Sequence, residues 1–327
     1  MDVFLAAAPE QPRIPLILAG KLALAALLLW AVAVHVDVSR LVTAADHAST
    51  RPLLLAVLLL FPNLFLQFAK WRLLLRRSNI SIRTSDIAVS LFVGFAFGLV
   101  TPARLGEFGG RAFSVRGADR AVLASLTAVD KFASLLVTIL AGTACSAMLI
   151  ALAREGGTFL YSAVLPGMLC LACLCVAFIT RKRFMALLGR LFARSSRWSA
   201  RFTRLRAAPR VLVTADYVRL VSLSAMFYVV FILQFTLLVS AFGAAPSWAV
   251  VCAAGTVMLV KTIVPPVTFG ELGIREGAAV FVFTAIGAPA SAALAASLIL
   301  FALNVLLPAL AGAAILAVSA AQRGLDP

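Results

Sequence analysis

Apolar residues run along this chain in long blocks separated by short charged segments. The blocks at 14–34, 53–75, 121–152, 159–180, 219–242 and 291–319 each reach about 20 residues or more, the length a helix needs to cross a hydrocarbon layer ~30 Å thick. Two further apolar segments, 86–100 and 247–263, would reach only roughly 22–25 Å as helices. Both run directly into Pro and Gly, which makes them poor simple spans. The pattern predicts an all-α integral membrane protein with about six full spans and two re-entrant hairpins.

The placement of charge supports that count. Lys70, Arg72, Arg76, Arg77 and Arg83 mark a basic loop over 70–86, and the 181–219 loop carries ten Arg and one Lys against the single acid Asp216. Loops of this kind stay cytoplasmic. If 86–100 crossed fully, the second basic loop would fall outside; if 86–111 enters and returns, both lie inside. By the same parity 243–247 is external, 247–276 enters from the opposite face, and both termini are cytoplasmic. Within the long loop, Arg190, Arg194, Arg197, Arg201 and Arg204 share one helical face, with Leu187, Leu191, Trp198, Phe202 and Leu205 on the flank and opposite side. Residues 181–210 therefore read as a basic amphipathic segment, with 184–207 lying on the anionic cytoplasmic leaflet.

Composition agrees and narrows the classes. Apolar residues make up 63% of the 327 positions, charged residues 13%, and mean hydropathy is +1.05, far beyond what one water-soluble core can bury. The net charge of +16 sits in short segments between apolar blocks and is not interleaved with aromatics on a soluble domain, so no nucleic-acid partner is expected. Cys145, Cys170, Cys173, Cys175 and Cys252 all fall in apolar stretches without nearby His or acidic ligands, which predicts neither a disulfide framework nor a metal site. Ala31-Val32-Ala33 resembles a signal-peptidase site. No basic region leads the 14–34 block, however, and the block is long enough to span, so it is expected to be an uncleaved first helix.

The strongest signal is internal. Residues 101–111 read TPARLGEFGGR and residues 265–275 read PPVTFGELGIR. At one offset of 164, Pro102 matches Pro266, Gly106 matches Gly270, Glu107 matches Glu271, Gly109 matches Gly273 and Arg111 matches Arg275. The chain has five Glu in all, and two stand at equivalent places here. With opposite faces of insertion, halves at about 53–152 and 219–319 form an inverted repeat within a single transmembrane domain, the plan of many secondary transporters. Pro102, Gly106, Gly109, Pro266, Gly270 and Gly273 would form the hairpins, because Pro and Gly end a helix and let the chain turn against protein or water.

Charge at that depth demands a reason, since each buried ion costs about 2.5–3.5 kcal/mol on insertion scales. Glu107–Arg111 and Glu271–Arg275, each at i,i+4, fit local ion pairs that hold the hairpins. They also fit a cavity in which Arg111 and Arg275 meet a lipid phosphate and the two Glu meet a cationic or hydroxyl group. Asp130 and Lys131, ten residues into the 121–152 block, need partners too and are further candidates for substrate contact. Arg104 and Glu276 border the motifs and carry less weight. Gln67, Gln234 and Asn304 read as ordinary interhelical hydrogen-bonders.

These residues resemble the flippase-like transmembrane domain family, typified by the membrane half of lysylphosphatidylglycerol synthase. The TP-x3-GE loop and Arg111 at 101–111, the Asp130-Lys131 pair, FGELGIRE at 269–276 and LNVLLPALAG at 303–312 carry the likeness. The resemblance implies translocation of a phospholipid or related polar lipid across the cytoplasmic (inner) membrane, by a stand-alone member without the soluble aminoacyltransferase domain. Membrane lipids are then the expected partners, with no cofactor. The second reading is a non-transporting membrane subunit that anchors or regulates a lipid-modifying enzyme. An enzyme is not expected: His35 and His47 both lie in the first external loop, and no nucleophile has a convincing base nearby. Nor is there a Gly-rich GK[ST] loop to bind a nucleotide phosphate.

Overall fold

The computed structural model describes residues 48–77, 82–101, 104–115, 118–152, 212–264 and 273–324. The expected spans at 14–34 and 159–180, the amphipathic segment 181–210, and Pro102, Pro266, Gly270 and Glu271 lie outside the described residues. Every regular element among those described is a helix: α1 (Thr50–Leu58), α2 (Leu60–Arg77), α3 (Thr84–Leu99), α4 (Gly106–Ser114), α5 (Arg120–Leu152), α6 (Thr214–Ala241), α7 (Trp248–Ile263), α8 (Ile274–Ala285), α9 (Ala290–Phe301) and α10 (Leu307–Gly324). Four stretches among them are long and apolar enough to cross a membrane: Thr50–Arg77, Arg120–Leu152, Thr214–Ala241 and Ala290–Ser319. The chain is a multi-pass α-helical membrane protein.

Two spans are interrupted, and proline explains both. Pro62 cannot donate to the Leu58 carbonyl, and the helix breaks between α1 and α2 at Leu59. Gln234 then donates to the Ala56 carbonyl at 2.9 Å, and Asn304 donates to Gln234 at 2.8 Å. Pro308 likewise leaves the Asn304 carbonyl without its i+4 donor, and a π-turn over Ala302–Leu306 joins α9 to α10.

The 164-residue offset reaches well beyond the motif. Thr50–Arg77 and Thr214–Ala241 are both 28 residues long, displaced by 164 at each bound, and so are the 16-residue helices α3 and α7. The two long spans run antiparallel: the Ser49 amide donates to the Ala241 carbonyl at 2.8 Å at one end, and Arg77 meets Asp216 at 2.9 Å at the other. Helix α3 therefore starts from the Arg77 end of the bundle and α7 from the Ala241 end. Packing is crossed between the halves, with α3 against α10 and α7 against α5. Small residues allow the second contact: a Cβ on Gly142 would sit 2.8 Å from Leu259 Cβ, and Ser146 donates to Thr256 at 3.1 Å.

At 16 residues, α3 and α7 are each about 24 Å long, short of a ~30 Å hydrocarbon layer. Helix α4 folds back along α3. Gly110 lies against Val93 and Gly94, while Gly106 lies against Phe97, so the pairing runs antiparallel. A Cβ on Gly106 would collide with the Phe97 carbonyl, and one on Gly110 would come 2.8 Å from the Val93 carbonyl. This close approach brings the charged face of α4 onto α3, α2 and α5. One apolar core surrounds Trp71, Leu91, Leu123 and Leu126, and a second surrounds Phe235, Val257, Phe283 and Leu300.

Candidate functional site

The turn into α4 is tied by Thr101, whose hydroxyl accepts from the Gly106 amide at 2.6 Å and donates to the Phe97 carbonyl at 2.9 Å. Arg104 stands in the left-handed region at φ 54°, a conformation uncommon outside glycine. That turn places Glu107 in the first turn of α4, where the helix dipole favours an anion. Glycines on α3 make the room: a Cβ at Gly98 would lie 2.6 Å from Glu107 Cγ, and one at Gly94 would lie 2.8 Å from Arg111 Cγ.

Six charged side chains meet there. Glu107, fully buried, contacts Arg104 at 2.5 Å, Lys131, and Arg111 at 3.6 Å. Asp130, also buried, binds Arg111 at 3.0 Å and Lys70 at 2.9 Å, and Lys70 donates to Ser134 at 2.8 Å. Arg111 lies 4.9 Å over the Trp71 ring and Lys70 lies 5.1 Å over Phe227, so aromatic faces complete the setting of both cations. The structure thus brings Glu107, Arg111, Asp130 and Lys131 together. The i,i+4 contact between Glu107 and Arg111 is the longest of Glu107's three. Gly109 lies inside α4 with room beside Phe113, and the tight contact falls to Gly110 instead.

Four cations therefore share two carboxylates, an excess of two positive charges among the described residues. Accessibility divides them. The side chains of Lys70 and Arg111 are 4% and 1% exposed, whereas Arg104 keeps 22% and Lys131 keeps 36%. Lys70 and Asp130 stand seven and ten residues from the Arg77 and Arg120 helix ends, about 10–15 Å along the axes and near half of a ~30 Å layer.

The second motif is built differently. Gly273, at φ 88°, begins α8, and Glu276 reaches back to accept from the Gly273 amide at 2.7 Å. The same carboxylate meets Arg275 and accepts from Ser297 at 3.1 Å, while Arg275 donates from Nε to Ser297 at 2.9 Å and faces the Phe301 ring at 5.5 Å. Among the described residues this group is electrically balanced and closed.

Three participants have a larger part than their sequence context suggests. Lys70, counted above among loop charges, lies inside α2 and is buried against Asp130. Its signal was available: Gln234 stands 164 residues later, equally buried and likewise bonded across helices. Arg104 and Glu276 are direct partners of Glu107 and Arg275, not mere neighbours of the motifs. Gln234 and Asn304 bond between helices as read, whereas Gln67 bonds within its own helix to Asn63 at 2.9 Å. Among the described residues no group of His, Cys, Asp and Glu is arranged to hold a metal ion.

A family model described as the lysylphosphatidylglycerol synthase TM region matches residues 18–312, and the chain belongs to that family. No curated protein matches the chain.

Proposed function

We propose that this family member translocates an anionic lipid across the cytoplasmic membrane, with the headgroup received by the charge cluster of α2, α4 and α5. The observation that carries this reading is the excess of two positive charges among the described residues of the cluster, with Arg104 and Lys131 the two cations that remain accessible. Unbalanced charge at membrane depth is costly and is retained where a counter-charge visits. A lipid phosphodiester supplies one negative charge, half of that excess, and has the oxygens to accept from a guanidinium and an ammonium together. Arg111 and Lys70 then hold the two carboxylates in place, and Arg104 and Lys131 contact the ligand. In the second half Arg275 is already paired with Glu276 and Ser297, so it takes a structural part in this scheme.

The two halves serve as an inverted-topology repeat. Equal element lengths at one offset, antiparallel long spans and crossed packing support it. With the spans at 14–34 and 159–180, six crossings and two re-entrant helices α3 and α7 follow, with both termini cytoplasmic. Cysteine labelling checks the orientation. In a cysteine-free background, Ala245→Cys should react with an impermeant thiol reagent added outside, and Ser85→Cys should react only after permeabilisation. External labelling of Ser85→Cys would overturn the assignment.

Transport itself is tested in liposomes containing the purified chain and a fluorescent phosphatidylglycerol or phosphatidylcholine. Chemical quenching of the outer leaflet should proceed past the half-quenched plateau with the anionic probe, at least tenfold faster than in protein-free vesicles. Tight binding without acceleration would favour a non-transporting subunit that anchors or regulates a lipid-modifying enzyme.

A further inference from the structure

Between α2 and α6, on the side away from the charge cluster, lies a groove of about 510 Å³. Helix α2 divides its faces cleanly: Lys70, Trp71 and Leu74 point into the core, while Phe65, Phe68 and Arg72 line the groove. Because α2 and α6 are antiparallel, Phe65 stands level with Met226, Phe68 with Leu223, and Arg72 with Arg219. Arg76 adds a third cation one turn beyond. From Phe65 to Arg76 the groove rises about 16 Å, apolar at one end and triply cationic at the other. Its apolar end opens outward, with Phe65 66% and Met226 56% exposed.

Among the described residues these arginines are without carboxylate partners. Asp216, the acid in the first turn of α6, is taken by Arg77, and no ion pair engages Arg72, Arg76 or Arg219 among the described residues. Arg72 Nε is buried and has no hydrogen-bond partner there. Three like charges around one mouth repel each other. An anion relieves it, and an acyl chain fits what lies below.

We infer that this groove holds one anionic diacyl phospholipid, its phosphate on Arg72, Arg76 and Arg219 and one chain along Phe65, Phe68, Leu223 and Met226. Charge complementarity excludes the basic segment 184–207 as occupant, since it would bring more Arg to an arginine mouth. An apolar helix from a partner would cover Phe65 and Met226 but leave the three guanidiniums without a counter-charge. The site lies on a different face from the transport cluster and does not depend on it. A lipid seated there joins the Arg77 end of one long span to the Asp216 end of its repeat counterpart.

The test uses the full chain, delipidated in neutral detergent, and photoactivatable phosphatidylglycerol and phosphatidylcholine with the reactive group in the acyl chain. Phosphatidylglycerol should crosslink within 65–76 and 218–226 at least tenfold more than phosphatidylcholine. The combination Arg72→Gln, Arg76→Gln and Arg219→Gln should erase that preference, and Met226→Trp, which removes no charge, should block crosslinking of both lipids. If the arginine variant fails to fold, Met226→Trp decides alone. Equal labelling by the two lipids, crosslinks confined to other peptides, or labelling unchanged in folded Met226→Trp would each overturn the assignment. Arg104→Gln with Lys131→Gln should leave this labelling intact, which separates the groove from the transport site.

Discussion

Asp130→Asn is expected to cost about 3–5 kcal/mol of stability, the range for breaking a buried ion pair by removing one partner. Asp130 is the shared counter-charge of Lys70 at 2.9 Å and Arg111 at 3.0 Å, with both cations almost wholly buried. Its loss would leave Lys70, Arg104, Arg111 and Lys131 facing Glu107 alone. Folded yield in detergent should fall sharply, with the melting midpoint lowered by roughly 10 °C for a chain of this size. The companion variant, Lys70→Gln with Asp130→Asn, should recover most of that loss. It restores the wild-type excess of two charges and copies an arrangement the protein already uses, for Gln234 stands 164 residues after Lys70 and bonds Asn304. If the single variant melts like wild type, or the double variant does no better than the single, Asp130 is not the counter-ion that holds Lys70.

That Lys70 belongs to the core shows where sequence reading stops. The spans were legible because hydropathy reports what a bilayer must solvate, but their ends were not. The block at 53–75 became Thr50–Arg77, and that at 219–242 became Thr214–Ala241. Backbone hydrogen bonding continues through Arg76, Arg77 and Asp216 after apolar character has stopped. A count of cations treats Lys70 and Arg76 alike, because it registers charge and not the helix face that carries it. The repeated motif was read as a hairpin turn, whereas Glu107 and Arg111 stand on one short helix, and i,i+4 spacing overstated their mutual contact. Glu107 instead meets Arg104 across the turn and Lys131 from the next helix. In the second motif, neighbours such as Arg275 and Glu276 ordinarily diverge on a helix. They meet here because Glu276 turns back to cap the amide of Gly273.

The same distinction between charges that hold and charges that receive leads to the largest functional effect. Arg104→Gln with Lys131→Gln should lower anionic-lipid translocation at least tenfold while leaving folded protein near normal. Two cations, Lys70 and Arg111, would then balance two carboxylates, Glu107 and Asp130. Both removed side chains are partly exposed, at 22% and 36%, and the buried Glu107 keeps Arg111 at 3.6 Å as its counter-charge. Gln at 104 carries the same backbone strain as Arg at φ 54°, since both have a Cβ, so the turn is not otherwise altered. A purely structural role for these charges predicts the reverse. Glu107, fully buried, would lose its two shortest contacts, and abundance would fall before transport could be measured. Adding Glu107→Gln decides between them, because the triple variant has no stranded carboxylate. Recovery of both abundance and flipping in the triple variant would make the charges structural and dismiss the headgroup site. Normal abundance with flipping still lost, together with activity retained in Lys131→Arg, assigns Arg104 and Lys131 to the lipid headgroup.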